Sequence, residues 1–144
     1  MIKQIKGDMF NYITENDYIA HCISADFALG AGIAKTIDQK YNVRSKLLSN
    51  PVYKKPYSDG NGYVICTDHV FNLVTKARYN DKPTYASLDN SLVKLAELCK
   101  CRKIDTIHMP RIGCGLDKLH WDLVFPMICR IFTEYGINVT IYHL

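Results

Sequence analysis

The sequence predicts an α/β fold in which a sheet carries helices on both sides. Three observations lead there. Short β-rich runs, continuous or alternating in their apolar residues, are interleaved with longer runs in which apolar residues recur every three to four positions. Two glycine loops, Gly30-Ala31-Gly32 and Gly113-Cys114-Gly115, each stand where a predicted strand gives way to a predicted helix. Asp8, Ser24, Lys76 and Arg111 each follow directly on a predicted strand, and in an open parallel sheet the carboxyl ends of the strands share one rim where ligands bind.

Taken in order, Ile2 to Ile5 has apolar ends and reads as a strand closed by Gly7-Asp8, with Met9 to Tyr12 a short helix or a turn. Asp8 suits a turn or cap there as well as a ligand. Tyr18 to Ile23 is nearly all apolar, as expected of a strand buried on both faces. His21 inside that run is expected to be a hydrogen-bonded core residue. After the glycine turn, Ile33, Ile37 and Tyr41 mark one face of a helix on which Lys35 is solvated. Val43 to Leu48 can continue that helix until Ser49-Asn50-Pro51 breaks it, and Lys54 to Gly62 reads as a surface loop and turn. Tyr63–Thr67 and Val70–Thr75, separated by Asp68-His69, form a plausible antiparallel pair. A polar, basic stretch, Lys76 to Pro83, leads to Thr84 as N-cap of a helix carrying Tyr85, Leu88, Leu92, Leu95 and Cys99. Thr106 to Met109 is a strand halted by Pro110. Val124, Ile128, Ile131 and Tyr135 mark a helix closed by Gly136, and Asn138 to His143 alternates as a last strand.

Composition narrows the function. The 144 residues suit one domain, assigned to residues 1–144, and the 48% apolar share is ordinary for a folded chain. No run reaches the length of a membrane span, and Met1 to Lys6 lacks the apolar core of a secretion signal. The expectation is therefore no membrane association and a cytoplasmic setting, or a nuclear one in a eukaryote. There the six cysteines are reduced thiols. Cys99-x-Cys101 has no second pair at zinc spacing, so no metal is expected. The net charge of +4 admits an anionic ligand without selecting nucleic acid.

The first glycine loop, Ala25 to Lys35, has the features of a phosphate pocket: glycines that let the backbone approach a ligand, then a helix N-terminus with free N–H groups. A purely structural turn uses glycines too. The place of a third dinucleotide-fingerprint glycine is held by Lys35, and the spacing is not that of a P-loop. The second glycine loop on the same rim makes a diphosphate sugar the better reading. Cys114 inside that loop suits its small size better than a nucleophilic role, and Trp121 and Tyr85 suit core or rim positions.

These residues resemble those of the macrodomain family, and more closely its terminal ADP-ribose protein glycohydrolase group, whose bacterial relatives include antitoxins that remove ADP-ribose from DNA. The matching segments are Lys6-Gly7-Asp8-Met9-Phe10, His21-Cys22-Ile23-Ser24, Gly30-Ala31-Gly32-Ile33-Ala34, Val74-Thr75-Lys76, Lys82-Pro83-Thr84-Tyr85 and Met109 to Asp117, continuing through Trp121 and Val139 to Leu144. Residues 43–61 carry little of it. The resemblance implies a three-layer α/β/α fold with a mixed sheet. It implies that Asp8, with Met9 beside it, meets the adenine amino group. Gly30, Ala31, Gly32, Ile33 and Ala34 would hold the diphosphate and distal ribose, and Ser24 would lie near that ribose. Pro110, Arg111 and Ile112 would lead into the partner loop, Gly113, Cys114, Gly115 and Leu116. Lys76 takes the place of the group's catalytic lysine and Asp117 that of its catalytic aspartate.

The chemistry so implied is attack by an unprotonated Lys76 amine on the anomeric carbon of the distal ribose, with Asp117 moving protons. Burial or nearby positive charge would keep the amine free, and Arg78 and Lys82 are close in sequence. The expected substrates are ADP-ribose on glutamate or aspartate side chains, or O-acetyl-ADP-ribose, with no cofactor and a monomeric protein. The alternatives are an ADP-ribose 1″-phosphate phosphatase, a DNA ADP-ribosyl glycohydrolase acting on nucleic-acid-linked ADP-ribose, and a non-catalytic reader.

Overall fold

A computed structural model describes residues 1–58 and 60–144. Asp59, within the loop expected over Lys54 to Gly62, lies outside the described residues. The elements are β1 (Ile2–Lys6), β2 (Ile19–Ser24), α1 (Gly32–Tyr41), α2 (Val43–Ser49), β3 (Tyr63–Thr67), β4 (Val70–Lys76), α3 (Tyr85–Cys101), β5 (Thr106–Pro110), α4 (Trp121–Tyr135) and β6 (Asn138–His143). Short 3-10 turns stand at Met9–Asn11 and Pro51–Tyr53. Among the described residues, no helix is long and apolar enough to cross a membrane.

One sheet runs in the order β1-β6-β5-β2-β4-β3. Its pairs are parallel except β3 with β4, which form the antiparallel hairpin predicted around Asp68-His69. The sheet is therefore mixed. Its parallel strands put residues 7, 24, 76 and 111 at or just beyond one common rim.

Alternation along the central strands divides the core into two layers. Ala20 of β2 and Phe71 and Leu73 of β4 pack with Leu88, Leu92 and Leu95 of α3 and Val124, Ile128 and Phe132 of α4. Ile19 and Ile23, with Val70 and Val74, pack on the other face with Ile37 of α1 and Val43 and Leu47 of α2. Each such side chain contributes about 1.5–3 kcal/mol by leaving water, so both faces of the sheet must be covered for these strands to be stable. His21 sits in the second layer's register, fully buried, opposite Asn72. Its Nε2 lies 2.6 Å from Asn72 Oδ1, while the Asn72 amide donates to the Ile65 carbonyl and Thr67 Oγ1. With the amide facing acceptors, Nε2 carries the imidazole proton.

Three details refine the sequence reading. Asn42 adopts φ 55°, ψ 42°, which ends α1 and makes α2 a separate helix, not a continuation. Asparagine tolerates this left-handed conformation, and Asp38 Oδ1 accepts from the Arg44 amide to start α2. The strand at Val70 extends one residue further, to Lys76. Finally, the end of the 54–62 loop is not at the surface. Gly62 is buried so closely against α3 that a Cβ there would come within 2.0 Å of the Ser87 carbonyl oxygen. Thr84 and Ser87 form a reciprocal capping box at that end of α3. Ser87 Oγ also donates to the Thr75 carbonyl at 2.8 Å, which pins the helix start to the end of β4.

Candidate active site

The rim of the sheet opens into a cleft of about 950 Å³ between the two glycine loops. Its floor is the end of β2, Cys22 to Ser24, with Lys76 from β4. One wall is Ala28 to Ala34, running into α1; the other is Pro110 to Gly113 with Gly115 to Lys118. Tyr79 to Lys82 close the side beyond Lys76.

The first wall is shaped by backbone conformation. Phe27 and Leu29 have φ of 57° and 44°, which non-glycine residues rarely adopt. They are held there by burial, at 1% and 6% exposure, and by Arg44 Nε, which donates to the Phe27 carbonyl at 2.9 Å. Gly32 at φ 60° opens α1, and a Cβ there would lie 3.1 Å from Leu116 Cδ1. The two loops thus touch across the cleft at Gly32 and Leu116. The N-cap residue of α1, Ala31, offers no side-chain hydrogen bond, so the first N–H groups of this helix are left for an anion.

Lys76 owes its position to a slip in register. β2 and β4 pair as Ile23 with Val74 but then as Ser24 with Lys76, passing over Thr75. A bulge of this kind re-aims the side chain beyond it. The Lys76 ammonium meets Asp117 Oδ1 at 2.6 Å, and the two side chains are only 13% and 14% exposed. It also donates to the Tyr79 carbonyl at 3.0 Å. Of the positive neighbours anticipated from sequence, Lys82 lines the cleft but Arg78 turns away. Arg78 is 77% exposed and turns to Asp81 at 4.0 Å, and the charge facing Lys76 is a carboxylate.

Most of the predicted binding residues gather here: Ser24, Gly30 to Ala34, Pro110 to Gly113, Gly115 and Leu116 all line the cleft. Arg111 does so with its guanidinium 5.1 Å over the Trp121 ring. Asp8, Met9 and Cys114 are not among the lining residues. Asp8 is exposed and accepts from the Phe10 amide at 3.0 Å, capping the 3-10 turn just beyond β1, an edge strand two strand spacings, roughly 10 Å, from β5. Met9 is 2% exposed and packs in the α1–α2 layer. Cys114 packs against the opposite layer, and burial pushes its thiol up to about 11, although Arg111 pulls the other way. It is therefore not a thiolate near neutral pH. Burial also pushes the Cys22 thiol on the cleft floor well above its ordinary value. Tyr85 and Trp121 are structural, Tyr85 Oη accepting from the His120 amide and Trp121 Nε1 donating to Gln4. Among the described residues, no group of three or more His, Cys, Asp or Glu side chains could hold a metal ion.

Sequence reasoning missed Asp26 and the residues Tyr79, Asn80 and Asp81. Asp26 Oδ1 accepts from Ser24 Oγ at 2.5 Å and from the Ala28 amide at 3.1 Å, and Oδ2 accepts from the Tyr79 amide at 2.9 Å. Burial alone would raise this carboxyl, but the three hydrogen bonds and nearby Lys54 outweigh it and hold it below its ordinary value. The Ser24-x-Asp26 spacing was the only local signal; the link to Tyr79, 53 positions on, exists only in the fold.

No family model matches the chain. It is similar to ADP-ribose glycohydrolase OARD1 of Homo sapiens, with 39% identity over 145 residues that cover 99% of this chain and 91% of the human protein. The Bos taurus protein of the same name is 37% identical over the same shares. Among solved structures, the macrodomain of Mycobacterium tuberculosis DarG matches with TM-score 0.80 and 20% identity, covering 100% of this chain and 98% of that one. Thermosipho africanus DarTG in complex with ADP-ribose matches with TM-score 0.72 and 23% identity, covering 97% of this chain and 41% of that one. These two structural likenesses bear on the fold.

Proposed function

The chain belongs to the macrodomain family, in the terminal ADP-ribose protein glycohydrolase group, and from that premise we propose that it hydrolyses ADP-ribose from modified carboxylate side chains and from O-acetyl-ADP-ribose. The observation that carries the mechanism is the Lys76–Asp117 pair, 2.6 Å apart and largely buried between two glycine loops. The loops bind the diphosphate and the distal ribose, with α1's N–H groups facing phosphate charge. Asp8 lies farther along the same rim, where an extended ligand's adenine would reach.

In the proposed reaction a proton passes from the Lys76 ammonium to Asp117, leaving a free amine. Nζ attacks the anomeric carbon of the distal ribose as the bond from that carbon to the acyl oxygen breaks, and the acceptor departs as a carboxylate. Water then attacks the same carbon, the Nζ–carbon bond breaks, and the amine regains a proton through Asp117. The products are ADP-ribose and the free acid, with one water consumed. Acid–base help of this kind is worth roughly a hundredfold to ten-thousandfold. The protein acts as a monomer in the cytoplasm, or in the nucleus of a eukaryote, and needs no cofactor. ADP-ribose on nucleic acid is the alternative substrate, which the +4 net charge permits without selecting.

The test is a panel of ADP-ribosylated protein, ADP-ribosylated DNA, O-acetyl-ADP-ribose and ADP-ribose 1″-phosphate, run with wild type, Lys76→Ala and Asp117→Ala. Carboxylate-linked ADP-ribose is expected to be released by wild type alone. Undiminished turnover in both variants overturns the mechanism. Phosphate release independent of Lys76 turns the assignment to a phosphatase, and binding without any product turns it to a reader.

A further inference from the structure

Lys76 is held in place by a chain of contacts that ends at a residue outside the cleft. Its ammonium has two partners, the Asp117 carboxylate and the Tyr79 carbonyl. The Tyr79 side chain is 69% exposed and packs too little to fix that carbonyl. Tyr79 lies in a turn closed by the Asp81 amide on the Arg78 carbonyl and the Arg78 amide on Asp81 Oδ2, both at 3.0 Å, and its own amide ties that turn to the end of β2 by donating to Asp26 Oδ2 at 2.9 Å. The other Asp26 oxygen is bound by Ser24 Oγ and the Ala28 amide. A further bond runs from the Ala25 amide to the Lys76 carbonyl at 2.9 Å. One carboxylate therefore joins the end of β2, the start of the first glycine loop and the segment that follows Lys76.

We propose that Asp26 is a positioning residue for Lys76: by holding the Tyr79 amide it aims the Tyr79 carbonyl at the Lys76 nitrogen and sets where that nitrogen points. The Tyr79 carbonyl is a second acceptor on Nζ beside the Asp117 carboxylate. It retains one N–H while Asp117 takes the proton, so the lone pair left on the amine has a defined direction. Loss of the Asp26 contact unties the Arg78–Asp81 turn from β2, so that the turn can shift as a unit and the nitrogen can swing. Reacting groups must be placed to within about an ångström, and a misplacement of that size costs roughly a hundredfold in rate.

This inference rests on Lys76 being the attacking group. The isosteric variant Asp26→Asn tests it. An asparagine must present its NH2 to either the Tyr79 amide or the Ala28 amide, both of which only donate, so one of the two bonds is lost. Replacing tyrosine 79 by its α-hydroxy analogue, which puts an ester in place of the 78–79 amide, removes the Tyr79–Asp26 bond specifically and leaves every side chain intact.

For each variant, kcat on ADP-ribosylated protein, ADP-ribose affinity by calorimetry and the melting temperature are measured, in the wild-type and the Lys76→Ala backgrounds. The expected result is a fall in kcat of roughly ten- to hundredfold, affinity within about threefold of wild type, and no further loss of residual activity in the Lys76→Ala background. A structural role alone would lower the melting temperature and the affinity together and would lower residual activity in both backgrounds; that outcome overturns the proposal. So does wild-type kcat in both variants while Lys76→Ala is inactive. Full activity in Lys76→Ala overturns the reading of Lys76 itself, and this inference with it.

Discussion

At the residue scale, the site depends on paired groups whose value lies in the partner. Lys76 and Asp117 are each nearly buried, so removing either leaves the other charge without its partner in a poorly solvated place. In the proposed mechanism they act on one proton. Lys76→Ala, Asp117→Ala and the double variant are therefore expected to lose activity to about the same level, at least a hundredfold below wild type. Rates that multiply in the double variant would mean the residues work separately. His21 gives a second prediction, on stability. Burial pulls it down from 6.5 to about 4, against the Asn72 hydrogen bond and Asp38. The unfolded chain takes up a proton near pH 6.5, and the folded one does not until about pH 4. The stability associated with His21 is thus present above pH 6.5 and is lost as pH falls from 6.5 to 4, a loss of about 3 kcal/mol. His108, also lowered by burial, adds loss in the same direction. Denaturant unfolding across this range should show a shallower pH dependence in His21→Gln than in wild type, and equal slopes would count against the assignment. That His21 lies in the core was legible in the apolar run around it. Its partner was not, because Asn72 lies 51 positions away and meets it only through strand pairing.

At the element scale, the two glycine loops differ in what each glycine does. Gly30 is not in the left-handed region and a Cβ there meets nothing nearer than 3.8 Å. Gly32 has φ 60° and would place its Cβ 3.1 Å from Leu116. Gly32→Ala must therefore strain the start of α1, at about 1–2 kcal/mol, and push Leu116 from its place across the cleft. The expected outcome is a lowered melting temperature together with ADP-ribose affinity reduced roughly tenfold or more, since each 1.4 kcal/mol is a tenfold change. Gly30→Ala should melt with wild type. Equal melting of the two variants would remove the distinction. The loops' existence and place between strand and helix could be read from the chain. That Gly32 and Leu116 touch could not, because it depends on β2 and β5 lying side by side. The register slip that re-aims Lys76 was equally hidden: Val70 to Thr75 reads as one uninterrupted β-rich run with Lys76 opening the polar stretch after it, and the slip appears only against β2.

At the scale of the whole molecule, binding and folding are linked, because the cleft exists only when both glycine loops and β4 are assembled. ADP-ribose should raise the stability by about 2.7 kcal/mol at a concentration one hundred times its dissociation constant. The shift is expected to shrink as salt screens phosphate charge from a protein of net charge +4. No shift in melting temperature at saturating ADP-ribose would overturn the assignment of the cleft. Composition, the alternation of periods and the order of the strands' closing residues were enough, by themselves, to determine an α/β sheet with functional groups on one rim. These features are local: apolar spacing sets helix or strand, and glycine, proline and capping residues set where each ends. What only the tertiary structure decided is which of those groups meet. Lys76 and Asp117 stand 41 positions apart yet share a proton-bearing contact. Asp8 closes a strand as Ser24 does, but its strand is at the sheet's edge and its carboxylate caps a turn outside the cleft. Asp26, unremarked in the sequence, ties two loops together. The physical reason is that strand order and register are chosen by the burial of both faces of the sheet at once, a sum over the whole chain that no single stretch of sequence carries.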